Sequence, residues 1–296
     1  MKICVTGASG FIGQEVAAAL AKAGHTVVGL DKRLVDGWGN GEYMERDITH
    51  LLEPIPGLDA VVHLAAVANP RECERGPDYA FAVNVHGTFQ VLQMALLSGA
   101  KKFVFASSAH IYGISAKYLP SDENHPFWFQ NNRRETQIYT LTKIAGEQLC
   151  KLYEENYGLS YTTLRLFNVY GPGQALGYFV PDMVAKAQKG ALHLDGANVT
   201  KDWVNIKDVA RAFAAAVKSD FVGPINIGSG SETELGAVAS SIALKMGVPF
   251  TSTPSPTPTR MLADIRRAER VLGWKPTISL EEGLDSVIAA KATVPA

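Results

Sequence analysis

The stretch KICVTGASGFIG, residues 2–13, decides the fold. Its first part, residues 2–6, is rich in β-branched side chains and ends at Gly7, as a short strand does. Residues 11–23 then have the composition of a helix that stops at Gly24, and the next segment, TVVGLD, is again typical of a strand. The stretch and its continuation therefore predict a βαβ unit, in which a helix connects two parallel strands.

The turn between the first strand and the helix carries three glycines, Gly7, Gly10 and Gly13. Missing side chains at these positions permit a tight turn, close approach of a pyrophosphate and close packing of the helix on the strand. A glycine triplet alone also fits an ordinary tight turn. However, Asp31 closes the second strand about 20 residues after Gly10, where a carboxylate can accept hydrogen bonds from an adenosine ribose. The pattern predicts NAD, and favours it over NADP because a 2′-phosphate would meet the charge of Asp31.

Polar residues near Asp31 leave alternatives open. Lys32 and Arg33 could offset its charge, although a solvated strand end explains them better. Asp47, which follows a third short element, could bond the edge of an adenine or cap a local turn.

The alternation of strands and helices continues over the first part of the chain. Short apolar strands without polar alternation, separated by helices, predict an α/β fold with a doubly wound parallel sheet that is buried on both faces. The predicted segments are a strand at 60–66, a helix at 78–98, a strand at 102–108, a helix containing YTLTKIAGEQLCKLYEENYG and a strand at 160–168.

The rhythm breaks after about residue 170. We expect residues 1–170 to form a nucleotide-binding domain and residues 171–296 to form mainly a smaller second lobe. The two are expected to interleave, because strand and helix segments return to the first domain from about 197–230. The stretch TSTPSPTPTR at 251–260 is expected to be a surface loop, since it is rich in proline and threonine.

Composition argues against several kinds of partner. The 28 basic and 29 acidic side chains give a net charge of −1, which offers no electrostatic footprint for nucleic acid or an anionic membrane. The first glycine turn comes too early for a signal peptide, and we expect no apolar run near the ~20 residues that span a bilayer. Cys4, Cys73 and Cys150 lack metal or redox spacing, and no His/Asp/Glu cluster has the spacing of metal ligands. We therefore expect a cytoplasmic protein with a small-molecule substrate and no metal.

A serine, a tyrosine and a lysine suggest catalysis. Ser108 ends a predicted strand, and Tyr139 and Lys143 stand four residues apart in a predicted helix, where both side chains project from one face. The lysine charge is expected to lower the pKa of Tyr139 from its ordinary ~10 and make it a usable base. Lys143 could also bond a nicotinamide ribose, and Ser108 could hold a substrate carbinol oxygen. A Tyr/Lys pair at this spacing is common in helices, but its combination with the glycine turn and Ser108 favours catalysis.

Nine motifs cover nearly the whole chain: TGASGFIG, HLAA, NVHGT, SSAHIYG, YTLTK, LRLFNVYGPG, KDWVNIKDVARA, NIGSG and LGWKPTISLEEGL. Together they resemble the extended short-chain dehydrogenase/reductases of the nucleotide-sugar epimerase and dehydratase family. The resemblance implies a Rossmann domain that holds NAD and a small C-terminal lobe that closes over a nucleoside diphosphate sugar. It implies catalysis by Ser108, Tyr139 and Lys143, and a homodimer formed through the helices near 78–98 and 140–156.

The resemblance extends to individual contacts. The predicted cofactor contacts are Gly7, Gly10, Phe11, Ile12, Gly13, Asp31, Asp47, Ile48, Leu64, Ala65, Ala66, Asn84, Tyr139, Lys143, Phe167 and Val169. The predicted substrate contacts are Ser108, His110, Asn168, Lys201 and Arg260. Lys201 stands where the family usually has an arginine that clamps the diphosphate, and a lysine supplies a point charge but no bidentate fork.

The residues after Ser108 indicate the reaction. In the family that this chain resembles, dehydratases carry Asp-Glu or Ser-Glu directly after the catalytic hydroxyl, because elimination of water needs a further acid and base. This chain has Ala109 and His110 at those positions. The Ser-Ala pair resembles the epimerases, so we predict epimerisation at C4 through a transient 4-keto intermediate. His110 is interpreted either as a packing residue or as a proton shuttle. A shuttle would allow an unusual elimination or a second epimerisation.

The loop SDENHPFWFQNNRRETQ at 121–137 lengthens the interval between Ser108 and Tyr139. It is interpreted either as a surface loop with an aromatic anchor or as a cover over the sugar. In the second case the aromatic contacts are Phe127, Trp128 and Phe129, and the residues that read an anionic group such as a uronate are Arg133 and Arg134.

Other functions stay open at this point. A reductase of a 4-ketosugar nucleotide would keep the same three catalytic residues but exchange NAD(P)H at every turnover. A dehydratase and a non-catalytic NAD-sensing or scaffold protein are further alternatives, because a fold does not establish an activity. His63 and His86, in HLAA and NVHGT, are expected to pack around the cofactor without taking part in chemistry.

Overall fold

The structure of the chain is a computed structural model that describes residues 1–33, 38–113, 116–127 and 136–292. Its centre is a parallel sheet of seven strands. In chain order the strands of the molecule are β1 (Lys2–Thr6), β2 (Thr26–Asp31), β3 (Gly41–Glu45), β4 (Ala60–His63), β5 (Lys102–Ser108), β6 (Ser160–Leu166), β7 (Asn168–Tyr170), β8 (Leu192–Asp195), β9 (Thr200–Asn205), β10 (Gly223–Ile227), β11 (Glu232–Glu234) and β12 (Phe250–Thr253). The central sheet has the order β10-β6-β5-β4-β1-β2-β3.

Helices cover both faces of this sheet. In chain order they are α1 (Phe11–Lys22), α2 (Pro70–Arg75), α3 (Pro77–Phe81), α4 (Thr88–Leu97), α5 (Gln137–Tyr157), α6 (Phe179–Ala187), α7 (Ile206–Lys218), α8 (Leu235–Met246), α9 (Arg266–Leu272) and α10 (Leu280–Ala292). The helix predicted at 78–98 is interrupted, because Ala82–Gly87 forms a π-helical segment between α3 and α4. A single 3₁₀ turn, Ala109–Tyr112, follows β5.

Apolar side chains pack on each face of the central sheet. On one face, α1 and α7 contribute Leu20 and Phe213 to a buried cluster with the strands. On the other face, α4 and α5 contribute Leu92 and Tyr153 to a second cluster. All seven residues of β5 are buried, as expected for a strand covered on both faces. The predicted α/β fold with a Rossmann-type parallel sheet is confirmed.

The later part of the chain builds a smaller lobe. Strands β7, β9 and β11 form one small sheet, and β8 and β12 form another. Side chains of β7, β8, β9 and β12 share a third cluster with α6, α8 and α10. Between these elements α7 and β10 return to the central sheet. The interleaving extends beyond the predicted range, because Trp274 lies in the core of the central sheet and donates a hydrogen bond to the Asp208 carbonyl oxygen at 2.9 Å. The predicted surface loop at 251–260 also begins within β12, which pairs with β8.

One helical run is longer and more apolar than the sequence analysis expected. Within the described residues, Pro77–Leu97 is long and apolar enough to cross a membrane by length and composition alone, with 21 residues and a mean hydropathy of 1.2. The expectation that no such run exists is therefore wrong. In the folded chain Val83, Leu92 and Met94 of this run are buried in the cluster beneath the central sheet.

The order of the strands decides where a ligand can bind. Because the seven strands are parallel, their carboxyl ends lie at one edge of the sheet. The order reverses at β1, which pairs with β2 on one side and with β4 on the other. Ligands of open α/β sheets bind in the crevice outside the carboxyl ends of the strands at such a point.

Candidate active site

A cavity of about 770 Å³ lies at this edge of the sheet. We name two parts of its wall. The glycine end follows β1 and β2 and consists of Gly7, Gly10, Gly13 and Asp31. The hydroxyl end lies on the β5 side and consists of Ser108, His110, Tyr139, Lys143 and Tyr178.

The glycine end is made of backbone that leaves no room for side chains. Gly7 has a φ of 68°, which favours glycine, and a Cβ there would lie 2.7 Å from the amide nitrogen of Ala65. A Cβ on Gly13 would lie 2.0 Å from the carbonyl oxygen of Gly7. Helix α1 begins directly after Gly10, and its first residues line the cavity. Unpaired amide groups at a helix N-terminus stabilise phosphate, so this cradle fits the pyrophosphate of a dinucleotide.

The carboxylate of Asp31 stands beside the glycine turn. Its Oδ2 accepts a hydrogen bond from the backbone N–H of Ser9 at 3.1 Å, and its Oδ1 accepts one from that of Arg33 at 3.3 Å. The ammonium of Lys32 is hydrogen-bonded to the Tyr79 hydroxyl at 2.5 Å. The position of the carboxylate at the end of β2 fits a contact with the ribose of NAD.

Most of the remaining predicted cofactor contacts also line the cavity. They are Phe11, Ile12, Asp47, Ile48, Leu64, Ala65, Ala66, Tyr139, Lys143, Phe167 and Val169. Asp47 also caps its own turn, because its Oδ1 accepts a hydrogen bond from the backbone N–H of Thr49 at 2.9 Å.

Asn84 is the exception among the predicted cofactor contacts, since it does not line the cavity. Its side-chain amide accepts a hydrogen bond from the Val67 N–H at 2.7 Å and donates one to the Val67 carbonyl oxygen at 3.1 Å. It also donates to the hydroxyl of Thr142 at 3.1 Å. Asn84 therefore holds the cavity wall at Val67 from behind.

Ser108, Tyr139 and Lys143 reach the hydroxyl end from two elements. Ser108 is the last residue of β5, and Tyr139 and Lys143 lie about one turn apart near the start of α5. The Oγ of Ser108 accepts a hydrogen bond from the backbone N–H of His110 at 3.2 Å. The Lys143 ammonium donates one to the carbonyl oxygen of Ala106 at 2.8 Å. The structure thus brings the three predicted catalytic side chains to one wall.

Burial controls the protonation of these groups. It raises the pKa of Tyr139 above its ordinary value, although a hydrogen bond from Ser108 acts in the opposite direction. Burial also lowers the pKa of Lys143 to about 8. The Nζ of Lys143 lies 5.8 Å from the centroid of the Tyr139 ring. The expectation that Lys143 lowers the pKa of Tyr139 is therefore wrong for the chain by itself, because desolvation of the phenol outweighs the charge at this distance.

His110 stands next to Tyr139. The two rings meet edge to face, with 5.8 Å between their centroids. Burial, followed by the charge of Lys201, lowers the pKa of His110 to about 4. Its Nδ1 is buried and has no hydrogen-bond partner in the part of the chain that the structure describes. The imidazole is therefore neutral at physiological pH.

Of the other predicted substrate contacts, one lines the cavity and two lie outside its lining. Asn168 lines the cavity. Lys201 does not line it, and its Nζ is 3.0 Å from the sulfur of Met261. Arg260 also lies outside the lining and forms an ion pair with Glu232, in which Nε donates to Oε2 at 3.0 Å. The predicted phosphate contact of Arg260 is not supported here, since a carboxylate already balances its charge.

The two histidines expected to pack around the cofactor differ in position. His63 is buried in the sheet, with Nδ1 at 2.6 Å from the Thr6 hydroxyl and Nε2 at 3.0 Å from that of Thr88. His86 is exposed and stacks on Phe89, outside the cavity lining. Neither histidine is among the residues that line the cavity.

The loop predicted to cover a sugar is only partly described. Trp128, Phe129, Arg133 and Arg134 lie outside the described residues. Phe127 does not line the cavity, and its ring lies 5.5 Å from the guanidinium carbon of Arg165. This part of the loop therefore packs on a buried arginine.

The structure adds cavity residues that the sequence analysis missed. Four polar examples are Asn69, Glu72, Gln174 and Tyr178. Asn69 caps α2 and Glu72 lies in α2, after β4, whereas Gln174 and Tyr178 lie in the Gly/Pro-rich stretch after β7. Both segments start near carboxyl ends of strands, which was an available signal.

Metal ligands are not grouped in the described part of the chain. No set of three His, Cys, Asp or Glu side chains there could hold a metal ion. Cys4, Cys73 and Cys150 are free and buried.

Known proteins with similar sequences share one family. The model of the NAD dependent epimerase/dehydratase family matches residues 3–228. A UDP-glucose 4-epimerase of Mycolicibacterium smegmatis is 31% identical over 319 residues, which cover 97% of each chain. The UDP-glucuronic acid decarboxylase 1 of Xenopus tropicalis is 29% identical over 303 residues, which cover 97% of this chain and 71% of that protein.

A solved structure shares the whole fold. The UDP-glucose 4-epimerase of Thermus thermophilus, in complex with NAD, has a TM-score of 0.86 and 26% identity to this chain, covering 99% of this chain and 100% of that one. The predicted family and the predicted NAD cofactor are confirmed by these comparisons. With a family model matched over most of its length and a glycine cradle that fits the cofactor, the chain belongs to the NAD dependent epimerase/dehydratase family.

Proposed function

We propose that this chain epimerises a nucleoside diphosphate sugar at C4 and retains NAD through the cycle. The observation that carries the proposal is the joining of the glycine cradle and the three side chains Ser108, Tyr139 and Lys143 in one cavity. The glycine cradle would hold NAD, which would supply the acceptor and donor for the hydride of a carbinol carbon. The names of the relatives support UDP sugars as the substrate class.

The chain's own residues handle the proton of the reacting hydroxyl. Tyr139 takes that proton as general base and returns it to the product. Ser108 holds the oxygen in position, because its hydroxyl lies on the same wall and is hydrogen-bonded in the Tyr139 network. Lys143 stays largely charged below its pKa of about 8, and its ammonium would bond the nicotinamide ribose. The carbonyl oxygen of Ala106 holds this ammonium at 2.8 Å.

The proposed substrate and cofactor contacts follow from the cavity lining. Asp31 binds the adenosine ribose, and the amide groups after Gly10 bind the pyrophosphate. Asn168 and His110 contact the substrate, since both line the cavity. Lys201 contributes its charge to the same region from outside the lining, because it lowers the pKa of His110.

The residues after Ser108 favour epimerisation over the decarboxylation named for one relative. Ala109 is buried and apolar, so it supplies neither an acid nor a base. A 4-epimerase needs only removal of hydride, rotation of the ketosugar and return of hydride to the opposite face. Tyr139 alone can serve both directions of this proton transfer.

We also propose a homodimer that pairs the outer faces of α3, α4 and α5. Apolar side chains stand exposed on these helices although the sheet covers their inner faces. They are Phe81, Phe89, Leu141, Leu152 and Tyr157. Light scattering coupled to size exclusion tests this proposal, and a monomeric mass would overturn it.

The test of the proposed reaction uses purified protein without added cofactor. It is incubated with UDP-, dTDP-, GDP- and CDP-sugars, and products are followed by chromatography with mass detection. A new peak of unchanged mass is expected from an epimerase that retains NAD. Loss of water or of carbon dioxide would replace the proposal by dehydration or decarboxylation. Product only from a ketosugar with NAD(P)H would replace it by reduction.

A further inference from the structure

His110 is a titratable side chain of the hydroxyl end to which the proposed epimerisation assigns a substrate contact but no proton transfer. His110 is one of the residues that line the cavity, and its imidazole meets the Tyr139 ring edge to face, with 5.8 Å between the ring centroids. Its backbone N–H donates to Oγ of Ser108 at 3.2 Å, so the loop that carries it is tied to the same serine. The histidine is thus fixed beside two groups that act on the sugar.

One nitrogen of the His110 ring makes no hydrogen bond with the described part of the chain. Its Nδ1 is buried and has no partner among the described residues. Buried polar atoms usually have partners, and a catalytic role is one of the explanations for an exception. By contrast, the buried His63 has both ring nitrogens within hydrogen-bonding distance of threonine hydroxyls. The molecule can therefore satisfy a buried histidine, and at His110 the described residues do not.

The imidazole of His110 keeps one unprotonated nitrogen at physiological pH. Burial and the charge of Lys201 lower its pKa to about 4, so the imidazole is neutral at physiological pH. A neutral imidazole can accept a proton, and its conjugate acid can return it.

The proposed reaction supplies a substrate for such a base. While C4 is a ketone, the hydrogens on the neighbouring carbons C3 and C5 are acidic, because the negative charge left by their removal delocalises onto the carbonyl oxygen. A base at the hydroxyl end would face a sugar in this state for part of every turnover.

We infer that His110 is a second catalytic residue, which exchanges the proton on C3 or C5 of the 4-keto intermediate and gives the enzyme an enolising activity beside hydride transfer. This inference rests on the proposed function, because it needs a 4-keto sugar in the cavity. In the step, an imidazole nitrogen takes the proton from the carbon. The electron pair of that C–H bond becomes a C=C bond, and the carbonyl pair moves to the C4 oxygen, which takes the proton of Tyr139. The reverse step returns a solvent-exchanged proton to carbon.

The test follows deuterium from solvent into carbon. The purified full chain with NAD converts an accepted UDP sugar in deuterium oxide, and proton NMR locates deuterium on the recovered sugars. Hydride transfer moves the sugar's own hydrogen and introduces no solvent deuterium. We expect deuterium at C3 or C5 in product made by the parent chain.

Two variants assign the exchange to His110. His110→Gln places an amide near the position of Nε2, and His110→Asn places one near Nδ1, and neither amide is a base. We expect exchange per epimerised molecule to fall by about 100-fold or more, as for loss of a general base. His193→Gln is the matched control, since His193 is exposed on β8 and bonded to Thr251 and Asp195. Circular dichroism confirms folding, and either His110 variant that folds gives the answer.

The outcomes separate this inference from the proposed function. An epimer without deuterium at C3 or C5 would overturn the inference and leave the epimerisation standing. The inference would also be overturned if folded His110 variants exchanged as much deuterium per epimerised molecule as the parent chain. Deuterium at C3 or C5 without change at C4 would retain the inference and overturn the epimerisation.

Discussion

The glycine end and the hydroxyl end of one cavity are built in different ways. At the glycine end the shape of the backbone forms the wall. Its three glycines lie between the end of β1 and the first turn of α1, and a Cβ on Gly13 would lie 2.0 Å from the Gly7 carbonyl oxygen. The hydroxyl end is made of side chains from separate segments, with Ser108 at the end of β5, Tyr139 on α5 and Tyr178 before α6. A local turn can bind a cofactor shared by many enzymes, whereas assembled side chains can differ from one enzyme to the next.

The largest expected effect is the loss of the Tyr139 hydroxyl. Tyr139→Phe should lower kcat by about 10²–10⁴-fold, because the general base is removed while the ring stays. The measurement is the initial rate of product formation from the accepted sugar. Tyr157→Phe is the control, since Tyr157 lies on the same helix with 57% of its surface exposed. Parental turnover in Tyr139→Phe would show that the hydroxyl end is not catalytic.

The next largest expected effect is a loss of stability at α5, the helix that carries Tyr139 and Lys143 of the hydroxyl end. Glu147, one turn after Lys143 on α5, accepts two hydrogen bonds from the Arg165 guanidinium at 2.9 and 2.7 Å. Glu147→Ala should lower the free energy of unfolding by about 3–5 kcal/mol, because it leaves a buried charge without its partner.

Urea unfolding measures the loss of stability in Glu147→Ala, and an exposed ion pair on the same helix provides the control. Glu155 pairs with Lys151 at 3.5 Å, and both side chains are more than half exposed, at 55% and 56%. Glu155→Ala should therefore change stability by about 0–1 kcal/mol. Equal costs for the two variants would mean that the buried pair does not hold α5 in place.

A smaller effect is expected at the glycine end. Gly13→Ala should destabilise the fold by about 1–3 kcal/mol and weaken NAD binding, because its Cβ forces the cradle apart. Gly24→Ala is the control, since Gly24 has a φ of 82° and a Cβ added there would have no atom within 4 Å among the described residues. It should strain the backbone without changing NAD affinity. Titration with NAD checks both variants, and equal affinities would contradict the cradle.

The smallest effect is a pH dependence. The folded pKa of His110 is about 4, below its ordinary 6.5, so between these values the unfolded chain binds more protons than the folded one. The free energy of unfolding should therefore fall as pH falls through this window, by up to about 1.4 kcal/mol per pH unit for this group. Urea midpoints at about pH 7 and about pH 5 should differ less in His110→Gln than in the parent. Equal differences would contradict the burial of the imidazole.

The sequence analysis was most accurate where a function depends on local spacing. Gly7, Gly13 and Asp31, for which cofactor contacts are predicted, all line the cavity, because a turn and the strand after it fix their positions. The sequence analysis was least accurate for long side chains and for residues that lie behind the cavity wall. Arg260 pairs with Glu232, which lies 28 positions away, and Asn84 turns toward the backbone of Val67. No local pattern reports such partners.

The sequence by itself determined the βαβ unit, the glycine cradle, the family and the spacing that brings Tyr139 and Lys143 to one face of α5. Only the tertiary structure decided the protonation of the hydroxyl end. There, burial raises the pKa of Tyr139 and leaves Nδ1 of His110 without a partner among the described residues. The physical reason is that backbone periodicity is encoded over a few residues, whereas desolvation depends on every segment that packs around a group.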